Sequence, residues 1–249
     1  GGDCAETFID FSAKMVKNKI KILLQMSAII KYITKLDIIN IGRIAGQFSK
    51  PRSNKFEERD GLSLPSYRGD AVNDINFDRG SRKSNPNRLL MAYNQSAATM
   101  NLIRSLIMDG YTDFKNIQSW GLSFLENSHY VKKYNNIAKN IKDILKFTDH
   151  DSIENFYSQI SHMSNSIYTS HECLLLDYEN SFIKHQKNEN KYYSGSAHML
   201  WVGDRTRNVN EAHVEFISNL ENPIGIKIGP SINLDDVILL CKKLNPNFQ

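Results

Sequence analysis

The sequence predicts an α/β fold in which parallel strands alternate with helices, and three observations carry that expectation. Short apolar runs, most of them β-branched, occur at residues 37–43, 166–170, 197–203 and 223–229. Segments of helical periodicity lie between them. Each run ends in polar or charged residues, namely Gly42-Arg43, His171-Glu172, Gly203-Asp204-Arg205 and Lys227, and Asp3-Cys4 reads as a further strand end at the start. That makes five strands at most. In barrels and open parallel sheets alike, ligands bind beyond the carboxyl ends of the strands, so charges placed there are functional candidates.

The elements follow in order. Over residues 5–34, Phe11, Met15, Ile22, Met26, Ile29 and Ile33 recur in steps of three, four and seven, which predicts a long helix burying that stripe. The run 37–43 reads as a buried strand delivering Gly42-Arg43 to a loop. Residues 45–85 have too few periodic apolar positions for core and read as a long polar loop, a kind of segment that usually carries function. Asn85-Pro86 reads as cap and first-turn proline of a helix carrying Leu89, Tyr93, Ala97, Met100 and Ile103 and stopped by Gly110. A second helix is expected over 131–147. Two helices without an intervening strand predict a helical insertion at about 86–165 in a single domain spanning 1–249. Near the end, residues 209–220 read as helical, Ile224, Ile226 and Ile228 alternate as a strand, and Asn233 caps a helix over 234–244.

Composition narrows the class. The 249 residues are 41% hydrophobic and 23% charged, with 13 Gly and 6 Pro, which excludes disordered, collagenous and disulfide-scaffold chains. The 31 Lys and Arg against 27 Asp and Glu leave a net charge of +4 that is scattered, not massed in one arm, so nucleic acid is not an expected partner. Cys4, Cys173 and Cys241 form no Cys-x-x-Cys pair, which fits a reducing compartment and excludes an all-cysteine zinc cluster. No run reaches the roughly 20 apolar residues of a membrane span.

The chemistry resides in the cations. Arg43, Lys50, Arg52, Arg205, Arg207 and Lys227 sit at strand ends or in the Gly/Pro-punctuated loop, and no helix-face pattern explains them. Arginine forks match phosphate and carboxylate oxygens while lysine acts as a point charge, so a convergent set suits a ligand with more than one anionic group. Within it, Lys50-Pro51-Arg52-Ser53 presents two cations and a hydroxyl on a proline-stiffened backbone, the alternative being a solvated turn. Cys4 precedes a helix and could ligate a metal or act as a nucleophile, or be an inert buried thiol. His171 and Glu172 are neighbours on one strand and point to opposite sides. The phosphate-binding Gly-x-x-x-x-Gly-Lys loop, the Gly-x-Gly-x-x-Gly turn, the His-Glu-x-x-His helix and the Gly-x-Ser-x-Gly elbow are all missing from the sequence.

Six segments resemble the class II, plant-type family of 3-deoxy-D-arabino-heptulosonate 7-phosphate (DAHP) synthases: GGDCAETF, IGRIAGQFSKPRSNKFEERDGLSLPSYRGD, NRLLMAYNQSAATMNLIRSL, TSHECLLLDYE, SAHMLWVGDRTR and NPIGIKIGP. They span nearly the whole chain in family order, while residues 122–166 match only in helical character. The resemblance implies a (β/α)8 barrel with extra inserted helices, of which about the first five strands are here. It implies a transferase of the shikimate pathway that condenses phosphoenolpyruvate with erythrose 4-phosphate and releases phosphate, using a divalent metal such as manganese or cobalt. Carried over residue by residue, Cys4 is a metal ligand and Arg43 contacts phosphoenolpyruvate. Lys50 lies between the substrates, and Arg52 with Ser53 holds the sugar phosphate. Asp204 and Arg205 bind phosphoenolpyruvate and an attacking water, Lys227 grips its phosphate, and Glu172 is an acid beside the site.

By the same resemblance the chain begins at the end of the first barrel strand and stops before the sixth. A His, a Glu and an Asp that complete the metal site, and a further phosphate-binding Arg, are then expected outside it, with the chain inactive alone. A homo-oligomer and a cytoplasmic setting, or a plastid one if a transit peptide precedes the chain, are also implied. The alternative is a non-catalytic barrel remnant that binds a phosphorylated ligand or a partner subunit, since an open barrel leaves an unpaired sheet edge.

Overall fold

The computed structural model describes residues 2–4, 6–34, 36–113, 136, 139, 166–230 and 232–247, with the side chains of 2–4 and 32 left out. Five strands, β1 (Gly2–Cys4), β2 (Asn40–Arg43), β5 (Ile167–Glu172), β8 (Met199–Val202) and β9 (Ile224–Ile226), form one sheet in the order β1-β2-β5-β8-β9. Every pair is parallel, with Gly42 opposite Thr169, Glu172 opposite Trp201 and Val202 opposite Ile226. Chain order equals spatial order, so the sheet has no point where the winding reverses. A doubly wound sheet reverses at its ligand crevice, whereas a barrel wall runs on in one direction. The five expected strands are all present, and β1 and β9 are the open edges of the described sheet.

Helices cover one face. The first, α1 (Ala13–Thr34), buries Val16, Ile20 and Leu24 against Ile44 and Ile167 and against Ile103 and Leu106 of α2 (Asn87–Met108). The stripe expected from the sequence is the wrong one: Met26 and Ile33 are 47% and 64% exposed, and Phe11, Met15 and Ile22 also face outward, with Ile29 half-buried. Apolar residues surround most of this helix, so two stripes about 100° apart satisfy the same spacing, and only the sheet selects between them. In α2 the buried face is Ala92, Ser96, Thr99, Ile103 and Leu106, while Tyr93 is exposed and stacks on Phe182. Small residues let this helix pack closely, so of the expected stripe Ile103 is buried, Leu89 and Met100 are half-buried, and Tyr93 and Ala97 lie outside. Its ends are as expected: the Asn85 side chain accepts the Asn87 N–H at 3.0 Å. At the other end the Tyr111 and Gly110 N–H groups bond to the Leu106 and Ile107 carbonyls at 2.9 and 3.1 Å, a paired helix stop.

A second core packs Leu200 and Val202 of β8 against Val214 and Ile217 of α4 (Ala212–Ser218) and Leu240 of α5 (Leu234–Leu244). Asn233 caps α5 by accepting the Asp235 N–H at 3.1 Å. Of the helix expected over 131–147, only Asn136 and Lys139 are among the described residues, and both are helical.

The loop over 45–85 corrects the sequence reading, for it contains a hairpin of β3 (Phe56–Arg59) and β4 (Leu62–Pro65). Asp60 and Gly61 turn it, both at positive φ (50° and 77°), the two-residue turn that matches strand twist. Its strands are mostly exposed, so they show no core periodicity. Arg82, 1% exposed, fastens it: Nη1 reaches Glu57 Oε2 at 2.9 Å and the Pro65 carbonyl at 3.2 Å, and Nε and Nη2 bond to the Asn76 and Ile75 carbonyls. A short helix, α3 (Leu176–Asn180), and an unforeseen hairpin, β6 (Ile183–Gln186) with β7 (Lys191–Ser194), lie between β5 and β8. No described helix is long and apolar enough to cross a membrane.

Candidate active site

Strand alternation sends Leu200 and Val202 into the helical core and leaves Trp201 on the opposite side of β8. There the Arg43 guanidinium, delivered by the last residue of β2, lies 5.1 Å from the Trp201 ring centre. Its Nη2 donates to Glu6 Oε1 at 3.1 Å, and its buried Nε has no hydrogen-bond partner. The Lys50 ammonium contacts the other Glu6 oxygen, Oε2. Arg205, just past β8, donates from Nε to Ser53 Oγ at 2.9 Å. Lys227, just past β9, donates its N–H to the Val202 carbonyl at 2.9 Å.

Glu172 closes β5 in the middle of this group and is 6% exposed. Burial pushes its carboxyl above the ordinary range, and Lys227, the Thr206 hydroxyl at 3.4 Å, Arg43 and Arg205 pull the other way. Three of the six cations therefore act on this one carboxylate, Lys50 is joined to them through Glu6, and Arg52 and Arg207 find their partners elsewhere. Glu172 fits only because residue 203 is glycine: a Cβ there would overlap Oε1 and lie 2.7 Å from the carboxyl carbon. The Glu172 N–H is held by Gln47 Oε1 at 2.9 Å, and Gln47 Nε2 donates to the Ser49 carbonyl at 3.2 Å.

The remaining sequence candidates divide. Asp204 accepts from Arg207 Nη1 at 2.5 Å, and the same nitrogen reaches the Lys227 carbonyl at 3.3 Å, so Arg207 ties together the ends of β8 and β9. Arg52 is exposed, with its guanidinium 5.9 Å from the Tyr67 ring centre and a bond to the Pro51 carbonyl at 3.3 Å, and neither contact joins it to the group around Glu172. His171 does turn away from Glu172: its Nε2 meets Glu179 Oε1 at 2.8 Å, and Ser196 donates to Glu179 Oε2 at 2.6 Å. His213 is structural, bonding to the Leu174 carbonyl at 3.2 Å.

Two residues of the site were not singled out from the sequence. Glu6 is one, although it stands two positions past a strand end and the strand-end rule reaches it. Asp70 is another: it accepts the Phe8 N–H and the Tyr67 hydroxyl, each at 2.7 Å, and Arg88 Nη2 at 3.4 Å. It thereby fastens the segment carrying Glu6 to the loop carrying Lys50. Only three-dimensional placement reveals that role.

A divalent metal would need three or four protein ligands. The Cys4 backbone lies beside Arg43 in the sheet, at the same mouth. Among the described residues no three His, Cys, Asp or Glu side chains cluster to hold an ion, so they do not by themselves fit a metal centre.

Comparison with known proteins identifies the family. The model of the class-II DAHP synthetase family matches residues 1–249. The phospho-2-dehydro-3-deoxyheptonate aldolase of Streptomyces coelicolor is 40% identical over 246 residues, covering 99% of this chain and 54% of its own. Its namesake from Neurospora crassa is 38% identical over 261 residues, covering 99% and 53%. The phospho-2-dehydro-3-deoxyheptonate aldolase AroG of Mycolicibacterium smegmatis is 36% identical over 252 residues, with the same two shares. The chain thus spans about half the length of the curated relatives it matches. Because the family model matches residues 1–249, the chain belongs to the class-II DAHP synthetase family.

Proposed function

We propose that this chain supplies the anion-binding wall of a DAHP synthase that joins phosphoenolpyruvate to erythrose 4-phosphate, and that its five parallel strands are part of a (β/α)8 barrel interrupted by a helical insertion at about 86–165. The observation that carries the reading is the convergence of Arg43, Arg205 and Lys227 on Glu172, with Lys50 joined to the same group through Glu6. Two phosphorylated anions repel each other, and bringing their reacting carbons to within roughly 3 to 3.5 Å requires that fixed cations cancel the repulsion.

In this reading Arg43, Arg205 and Lys227 hold phosphoenolpyruvate, Lys50 stands between the substrates, and Arg52 with Ser53 receives the sugar phosphate. The bond between Arg205 and Ser53 supports a reading in which the two phosphate sites are neighbours. The enol carbon of phosphoenolpyruvate attacks the aldehyde carbon, and the electron pair of the C=O bond goes to its oxygen, where a cation stabilises the charge. Water then adds to the resulting cationic carbon; Asp204 or Glu172 takes one of its protons and returns it to the alkoxide, and the other leaves with phosphate as the carbon–oxygen bond breaks. A divalent metal, manganese or cobalt, with Cys4 as one ligand and the others outside the described residues, belongs to the same reading. A homo-oligomer and a cytoplasmic or plastid location go with it.

The test is an assay of the full-length protein with both substrates, following phosphoenolpyruvate consumption and phosphate release, alongside a Lys227→Ala variant. Turnover that needs both substrates and collapses in the variant supports the reading. Binding of phosphoenolpyruvate without turnover would replace it with a ligand-binding role.

A further inference from the structure

Besides Glu172, the cationic mouth contains a second carboxylate, and that one pairs directly with two of the cations. Glu6 meets Arg43 Nη2 at 3.1 Å through one oxygen and the Lys50 ammonium through the other, so it occupies two positions that an anionic ligand would take. It is not a loose surface side chain. Its N–H is held by Asp10 Oδ2 at 3.2 Å, and the same oxygen accepts the Thr7 N–H and hydroxyl at 3.1 and 2.8 Å. Phe8 is fixed to Asp70 and sets its ring edge-on to Phe48, with centroids 5.2 Å apart, on the chain leading to Lys50. The backbone on both sides of the contact is therefore anchored, and the side chains of Glu6, Arg43 and Lys50 remain partly open at 25%, 37% and 24%.

We infer that Glu6 is a built-in competitor for the anion site: it holds Arg43 and Lys50 ready when no ligand is present, and a phosphate or carboxylate of the ligand displaces it. The inference rests on the reading of the mouth as an anion site and adds to it a residue that sets affinity. Two effects oppose each other when its charge is removed. The ligand no longer has to displace a carboxylate or lie beside one a few ångströms away, which tightens binding, while Arg43 and Lys50 lose their orientation, which weakens it. At these distances the repulsion between a carboxylate and a multiply charged anion exceeds the ordering of two side chains, so tighter binding wins.

The test is calorimetric titration of the full-length protein and its Glu6→Gln variant with inorganic phosphate and with phosphoenolpyruvate, in chelator so that no cation bridges ligand and protein. Glu6→Gln is expected to bind both about tenfold more tightly. Glu6→Asp, which keeps the charge, stays within about twofold of the parent, and a merely structural role would weaken binding in both variants. Binding by the parent with no gain in Glu6→Gln would overturn this inference and leave the anion site standing. No binding by either protein would overturn both.

Discussion

Arg205 Nε donates to Ser53 Oγ at 2.9 Å across 152 positions of sequence, joining the loop after β8 to the loop after β2. Neither loop makes an anion site alone: one offers a hydroxyl and two cations, the other a fork that reaches the hydroxyl. Removing the fork leaves any phosphate facing a hydroxyl without its charged neighbour. Arg205→Ala is therefore expected to weaken phosphoenolpyruvate binding by about 10- to 100-fold, the worth of a charge-assisted hydrogen-bond pair, and to abolish measurable turnover in the full-length protein. Titration and steady-state kinetics check it, and unchanged values would remove Arg205 from the site.

Glu172 and Gly203 form the tightest steric pair in the mouth. An alanine Cβ at 203 would overlap Glu172 Oε1, and the carboxyl has little room to withdraw because the residue is only 6% exposed, with Thr206 Oγ1 3.4 Å from the same oxygen. Gly203→Ala is expected to cost about 1 to 3 kcal/mol of stability, the range for forcing extra atoms into a packed site. It should also weaken phosphate binding, because the displaced carboxylate moves into the cations. Denaturant unfolding and calorimetry test the two effects separately.

The sequence made the sheet legible and the helix faces less so. Strand ends at Arg43, Glu172, Asp204-Arg205 and Lys227 could be read because a parallel strand is a short apolar run that stops at a charge, and the mouth of the sheet is where such charges end. The helices α1 and α2 misled in opposite ways. The first has apolar residues on almost every side, and the second buries Ala92, Ser96 and Thr99, so hydropathy spacing chose Met26 in one and Tyr93 in the other. The β3–β4 hairpin was hidden because its strands are exposed, although Asp60-Gly61 is a strong local turn signal. Glu6 and Asp70 could not be ranked from sequence, since their importance lies in which distant groups they meet.

Glu172 also predicts a pH dependence of stability. Its carboxyl titrates above the ordinary value in the folded protein because burial opposes its charge, so between the unfolded value of about 4.3 and the folded one the native state binds more protons than the unfolded state. Stability contributed by the protonated form is therefore lost as pH rises through that window. Glu172→Gln removes the ionisation, so its Tm is expected to exceed the parent's at pH 8, with the gap closing toward pH 4. Scanning calorimetry at the two pH values decides it, and a parent more stable at pH 8 would show that the surrounding cations outweigh burial.

Arg82 offers a test of whether the mouth depends on structure built behind it. It touches none of the mouth residues, yet it fixes Glu57 and the Pro65, Asn76 and Ile75 carbonyls, and so holds the hairpin and the chain leading to Tyr67 and Asp70. Replacing it with methionine keeps the apolar stem and leaves a partly buried carboxylate and three carbonyls without their donor. The expected loss is about 3 kcal/mol, at the low end for a broken buried ion pair because Glu57 is 29% exposed. If the support is local, amide exchange should accelerate over Phe56–Pro65 while the sheet strands β5 and β8 keep their protection. Phosphate affinity should fall even though no ligand-facing charge has changed, because Asp70 then no longer holds the Glu6 segment against the Lys50 loop. Hydrogen exchange that rises uniformly through the sheet would mean instead that the hairpin and the sheet open as one cooperative unit.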